Sequence, residues 1–469
     1  MSTTTALRYA ETRRKSFVDD LCALARIPSC SFPGHPPAEV ERSAKAVAAY
    51  LGRCGLKNVK VLRLPGVHPY VYGEWLGAPG APTLLLYAHH DVQPVGREKL
   101  WKSPPYVPTV RAGRLWGRGT ADDKAGIVVH GAAIEAWLKT AGKLPLNVKV
   151  LIEGEEEIGS ENLPRFLKKY KKLMKADAMV LTDTGNYDTG LPSVTTSLRG
   201  IVVQDVTVRT SDHPLHSGMW GGPLPDPAIA LAKMLASLTD ASGRLAIPAL
   251  WRDVRKPNAV EARSYASLRY TESAFRKQAE VLPGVDLVGG KSSPLLKMWR
   301  EPAVSVNALE ASARKSAGNI VNESAWARVG LRIVPDMDPK KTVRLLQEHL
   351  RKHAPWGVKV EFDKPQAANW WITDPQHPAF AAAKRALTKG YGREAVYVGC
   401  GGSIGFVEPF SQALGGVPAL LIGVEDPYTN PHSENESLHL GDFQKSIRSS
   451  VLLYEELART LKRGQKTHR

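Results

Sequence analysis

Cysteine is scarce in this chain: Cys22, Cys30, Cys54 and Cys400 are the only four in 469 residues. No two are spaced C-x-x-C, so no disulfide framework is encoded and the thiols are predicted to be reduced. Long apolar runs are missing too. No stretch reaches the roughly 18–20 residues of a membrane span, and the start MSTTTALRYAETRRK has no apolar signal core. These absences predict a soluble, cytoplasmic protein with no membrane partner. Negative charge is in deficit, with 46 Asp and Glu against 63 Lys and Arg, a net charge of +17. The surplus lies in short clusters such as Lys168, Lys169, Lys171 and Lys172. Without interleaved aromatics these read as a solubilising surface, and no nucleic-acid partner is expected.

What is present is a globular balance, 43% apolar and 23% charged, over a length suited to two or three domains. Short apolar runs at 83–88, 148–152, 178–182 and 419–424 alternate with helical patterns, as in parallel βα units. A helix over 440–462 closes the chain, so both ends are predicted to share one sheet. Between about 197 and 375 the order changes to strand, helix, strand, strand, helix, strand, a ferredoxin-like unit. Its first half is stretched by residues 240–300, which pattern alone does not place. The fold class read from this is α/β: a mixed, mostly parallel sheet flanked by helices (1–197 and 375–469), with an inserted α+β domain (198–374).

In open α/β sheets ligands bind at the carboxyl ends of the strands. Here one strand run ends in His89-His90-Asp91, another in Glu153 to Glu157, a third in Asp183, and the last is followed by Glu425-Asp426 and His432. Asp122-Asp123-Lys124 opens the apolar helix that begins near Ala125. Each cluster alone reads as a helix cap or a solvated turn. Together they crowd carboxylates at one edge, where repulsion requires protonation or cations. Histidine with carboxylate and no cysteine suits zinc or a similar divalent ion, and three carboxylates with two histidines suffice for a two-metal site. Such a centre makes hydroxide available near neutral pH.

The segments YAHHDVQP (87–94), GRGTADDKAG (117–126), EGEEEIGS (153–160), LTDT (181–184), PLHSGMWGG (214–222), LRIVP (331–335), GGSI (401–404) and NPHSENE (430–436) carry a resemblance. Nearly the whole chain resembles the di-zinc aminoacylase/carboxypeptidase peptidase family, in order and spacing most closely its cytosolic non-specific dipeptidase (carnosinase) branch. The resemblance implies two divalent ions, zinc first and manganese or cobalt as alternatives. One would be bound by His89 and Asp183, the other by Glu157 and His432, with Asp122 bridging. Asp91 would orient His89, and Glu156 would be the general base toward a metal-bridging water. A cis peptide between Asp122 and Asp123 is implied as well.

The inserted domain would act as lid and dimerisation domain, with hinges near 197–200 and 370–376. His216 would reach into the partner's site of a homodimer to steady the oxyanion. Arg332 would take the substrate carboxylate, with Asn319, His377, Gly402 and Ser403 in the substrate-contacting shell. The implied activity is hydrolysis of dipeptides or short peptides with a free C-terminal carboxylate. N-acyl amino acid hydrolysis is the alternative, and a non-catalytic basic binding protein on this scaffold a third reading. Gly399-Cys400 departs from the Arg-Glu pair common in the dipeptidase branch, which bears on the substrate pocket. A glycine-rich phosphate loop at 399–405 and a nucleophilic Cys400 are set aside, because neither has its surrounding signature.

Overall fold

The computed structural model describes residues 3–464. The chain divides into two compact units, one of Met1–Thr196, Thr373–Val398 and Phe406–Arg469, the other of Ser197–Ile372 and Gly399–Gly405. The loop 399–405 thus groups with the second unit, apart from the segments on either side of it. Within that unit Arg199 holds the loop, donating from Nε to the Gly401 carbonyl at 3.1 Å.

The first unit is built on a mixed sheet. Its strand order runs Lys57–Leu62, Tyr70–Trp75, Asn147–Glu153, Thr83–His89, Ala178–Leu181, Ala419–Leu421 and Ser193–Leu198. The middle four strands are mutually parallel, and the flanking pairs are antiparallel. The expected mostly parallel sheet is therefore a parallel centre with antiparallel margins. The physical reason is legible in the runs themselves. The four central strands are buried along almost their full length, as parallel strands must be. Lys57–Leu62, by contrast, is largely exposed and sits at the edge.

Four helices, Thr3–Thr12, Lys124–Ala141, Pro378–Tyr391 and Leu440–Gly464, pack on one another and join both ends of the chain to this unit. Lys124–Ala141 is buried from Lys124 to Trp137, consistent with its almost uniformly small and apolar sequence. Leu163–Met174 is amphipathic: Phe166 stacks on Tyr70 with ring centroids 4.0 Å apart, while Lys168, Lys169, Lys171 and Lys172 face solvent. The lysine cluster is the polar face of an ordinary surface helix.

The second unit has a five-stranded antiparallel sheet in which Ala303–Glu310, Ser324–Ile333, Gly200–Arg209 and Lys359–Phe362 lie side by side. Helices Pro227–Ala236 and Pro339–Lys352 fill the expected places in sequence. Each starts on an aspartate cap followed by proline, Asp226 accepting from Ile229 N and Asp338 from Lys341 N. Ala230, Leu231 and Met234 of the first helix and Leu346 and Leu350 of the second share a core with Val202, Val206, Ala327 and Leu331 of the strands. The stretch 240–300 folds as four short helices, Pro248–Trp251, Ala259–Ser267, Glu272–Gln278 and Pro294–Trp299. Three of them carry side-chain caps, from Asn258, Thr271 and Ser293.

Candidate metal centre

The four parallel strands bring their carboxyl ends to one edge, and the polar clusters of the sequence gather there. His89 is the last residue of its strand and lies opposite Glu153 in register. Asp183 follows Leu181 by two residues. Asp122 stands just before the buried helix Lys124–Ala141 and is joined to Asp123 by a cis peptide.

Two sets of side chains offer mutually close ligand atoms, and Asp122 belongs to both. In each set of three, His89, Asp122, Asp183 and Asp122, Glu157, His432, the atoms lie within 4.8 Å of one another. His89 Nε2 is 2.9 Å from Asp122 Oδ1, and His432 Nε2 is 3.2 Å from Asp122 Oδ2 and 3.3 Å from Glu157 Oε2. The two oxygens of one carboxylate thus face the two imidazoles. The other ring nitrogen of His89 meets Asp91, at 3.1 Å from its carbonyl and 3.4 Å from Oδ1. Asp91 is itself fastened by Ser31 Oγ at 2.7 Å and by the backbone N–H groups of Glu156 and Glu157. Asp91 therefore meets one imidazole through its carbonyl and, at longer range, its carboxylate, and the same carboxylate holds the backbone of the segment bearing Glu156 and Glu157.

The electrostatics suit cations. Burial lifts the Glu156 and Glu157 carboxyls well above the usual range, helped by the charges of Asp183 and Asp122 respectively. Asp183 is pushed up to about 6 by burial and by Asp122. Burial would depress His89, but its contacts with Asp122 and Asp91 carry it well above its ordinary value. Asp122, although buried, is held well below the usual range by hydrogen bonds to His432 and His89. Carboxylates and imidazoles compete here for protons, with His89 and Asp122 buried and His432 open to solvent, its side chain 59% exposed. Hard oxygen and borderline nitrogen donors in this arrangement fit a pair of divalent ions, with Asp122 able to serve both.

Glu436 closes the segment NPHSENE, where nothing in the sequence marks it for a role. Fully buried, it accepts from Arg118 Nη1 at 2.8 Å and from the backbone N–H groups of Gly119, Ala121 and Asp122 at 2.9, 2.9 and 3.2 Å. It therefore holds the loop that presents Asp122. Gly119 is needed there, at φ +74°, where a Cβ would lie 2.6 Å from Val92 Cγ1. Its signal was the second carboxylate in NPHSENE, four residues after His432, which is indistinguishable by local pattern from a solvated turn. Thr182 Oγ1 similarly donates to Asp123 at 2.9 Å.

Of the remaining predicted residues all but His377 belong to the second unit. In the second unit Arg332 Nη1 donates to Ser403 Oγ at 2.9 Å, and Gly402 N–H points to Cys400 Sγ at 3.3 Å. His216 is exposed, pairs in a short antiparallel bridge with Ile320, and accepts from Gly218 N at Nδ1. Asn319 is next to that bridge, its carbonyl accepting from Ser217 N at 2.9 Å. Among the described residues no hydrogen bond joins the Arg332–Ser403 pair to the His216–Asn319 pair. His377, in the first unit, caps Pro378–Tyr391 by accepting from Ala379 N at 3.2 Å.

Comparison with known proteins agrees with this geometry. The model of peptidase family M20/M25/M40 matches residues 85–456. A cysteinylglycine-S-conjugate dipeptidase of Corynebacterium striatum is 33% identical, with 93% of this chain and 94% of that protein aligned. A Cys-Gly metallodipeptidase of Schizosaccharomyces pombe is 30% identical over 96% of this chain and 97% of its own length. The crystal structure of human carnosine dipeptidase 1 superposes with a TM-score of 0.84 at 26% identity, covering 97% of this chain and 99% of that one. With its carboxylate–imidazole cluster and a family match over most of its length, the chain belongs to peptidase family M20/M25/M40 and is a metallopeptidase.

Proposed function

We propose that this protein is a dipeptidase that hydrolyses the amide bond of dipeptides or other short peptides with a free C-terminal carboxylate. The observation that carries the reading is Asp122 set between His89 and His432, each imidazole facing one of its oxygens. His89 with Asp183 would hold one divalent ion and Glu157 with His432 the other, Asp122 serving both. Zinc is the metal we expect, with manganese or cobalt able to replace it. Bound there, the ions supply Lewis acidity to the scissile carbonyl and lower the pKa of water.

The protein's own side chains do the rest. Glu156 lies among Asp183, His89 and Glu157, and its raised carboxyl pKa suits a base that takes a proton from water and returns it to the leaving amine. Asp91 keeps His89 in one tautomer. Arg332, half-buried and hydrogen-bonded to Ser403, would form a bidentate pair with the substrate carboxylate. Gly402, Asn319 and His377 are assigned to the surrounding substrate shell, and the second unit to the role of lid.

A homodimer completes the reading, with His216 acting in the partner's site. The edge strand Ala303–Glu310 leaves Val306 and Leu309 exposed, and Met219 and Trp220 are exposed beside His216. An open strand edge with apolar side chains favours pairing with a second chain. We place the enzyme in the cytoplasm, in keeping with its four cysteines free of disulfides. Among the described residues no helix is long and apolar enough to cross a membrane.

Zinc-dependent turnover of a dipeptide panel, abolished by chelator, tests the reading. Hydrolysis confined to N-acyl amino acids would move the assignment to a deacylase. A metal-free, inactive protein would overturn it.

A further inference from the structure

The helices of the 240–300 stretch enclose a cleft of about 610 Å³. That is within the size range of small-molecule sites, and its lining is mixed in the way such sites require. Helix Ala259–Ser267 presents Ala262 and Ala266, one turn apart, with the ring of Tyr265 between them in sequence. Helix Pro294–Trp299 presents Leu295 and Leu296. These side chains make an apolar body.

The charged residues are cationic in excess. Of the four cations in the lining, Arg255 is engaged by Asp336, and Arg300 by Glu261 at 2.8 Å. Lys256 and Arg269 are exposed, and neither makes an ion pair among the described residues. Glu301 is the one carboxylate in the lining, so the cleft keeps a surplus of a single positive charge.

We propose that this cleft is a binding site for a small apolar monocarboxylate. Its hydrocarbon would lie on Ala262, Ala266, Leu295 and Leu296, and its charge would be taken by Lys256 and Arg269. The site is distinct in sequence and composition from the carboxylate–imidazole cluster and contains none of its residues.

Octanoate titrated into the full-length protein, followed by calorimetry, is the test. One site is expected, with affinity falling at least tenfold in the double variant Lys256→Ala/Arg269→Ala and in Ala266→Trp, which fills the cleft. The double variant alters only exposed side chains, so it remains informative if the tryptophan disturbs folding. Arg332→Ala should leave the affinity unchanged, which separates this site from a substrate-carboxylate site. The proposal is overturned by an absence of saturable binding, by equal affinity in the double variant, by loss of binding in Arg332→Ala, or by 1-octanol binding as tightly as octanoate.

Discussion

Glu436 and Arg118 form a buried ion pair of 2.8 Å, one four residues after His432 and the other four residues before Asp122. The pair ties together the two loops that carry these candidate ligands. Removing the carboxylate would strand a buried guanidinium, at a cost of about 3–5 kcal/mol, and would free the N–H groups of Gly119, Ala121 and Asp122. Glu436→Ala is expected to lower the unfolding free energy by that order and to weaken metal affinity by about 10–100-fold. Denaturant unfolding and metal competition with a chelator measure the two effects. Unchanged metal affinity would reduce Glu436 to a stabilising contact.

Glu156→Gln keeps the shape of the side chain and removes its basicity. Metal content is expected to stay at the wild-type level while turnover drops by about 10²–10⁴-fold, the range of general-base catalysis. Elemental analysis alongside steady-state kinetics decides it, and a near-normal turnover number would exclude Glu156 as the base.

Arg332, held by Ser403, should matter only when the substrate carries a carboxylate. For a dipeptide, Arg332→Ala is expected to raise KM by about 10–100-fold, the worth of a charged hydrogen bond. For the C-terminal amide of the same dipeptide the two enzymes should differ little. An equal loss on both substrates would remove the carboxylate clamp.

Glu153 is buried between two tyrosines, accepting from Tyr70 at 2.9 Å and Tyr87 at 2.6 Å. Burial, opposed by the Tyr87 hydrogen bond and reinforced by the Asp91 charge, raises its carboxyl pKa to about 7. Between the ordinary glutamate value and about 7 the folded state therefore binds the extra proton. Stability from this residue is present at low pH and is lost as pH rises through that window, by on the order of 3 kcal/mol in all. Glu153→Gln should flatten this part of the pH profile and be the more stable protein at pH 8. A profile parallel to wild type would show that Glu153 titrates normally.

Gly423 leaves no room for a side chain, since a Cβ there would lie 1.2 Å from the Thr184 carbonyl oxygen. The three nearest atoms, from Thr184 and Thr182, are all backbone and cannot rotate away. Gly423→Ala is expected to destabilise the fold by about 3 kcal/mol or more, read as a fall in thermal midpoint. A midpoint within a degree or two of wild type would show that the two segments can separate.

The strand ends were legible because their signals are local. A buried apolar run that stops at His89, Glu153 or Asp183 states both the strand and the edge to which the polar residue is delivered. The antiparallel β-α-β-β-α-β unit was legible for the same reason, through alternating strands and the Asp-Pro starts of its two helices. The helices within 240–300 were less so, being too short for periodicity to rise above their polar surroundings, although Asn258, Thr271 and Ser293 were signals of their starts.

By itself, then, the amino-acid sequence determined the alternation of elements, the family and the residues able to hold cations, because each depends on neighbours a few positions apart. Tertiary structure alone decided that one Asp122 carboxylate faces two histidines and that Glu436 braces the Asp122 loop. It also decided that 399–405 groups with Arg199 and Arg332, and that a cationic apolar cleft forms among the short helices. These arrangements join segments up to more than 300 residues apart, as Arg118 and Glu436 are. Approach over such separations is set by packing and by the satisfaction of buried polar groups, which no local pattern encodes.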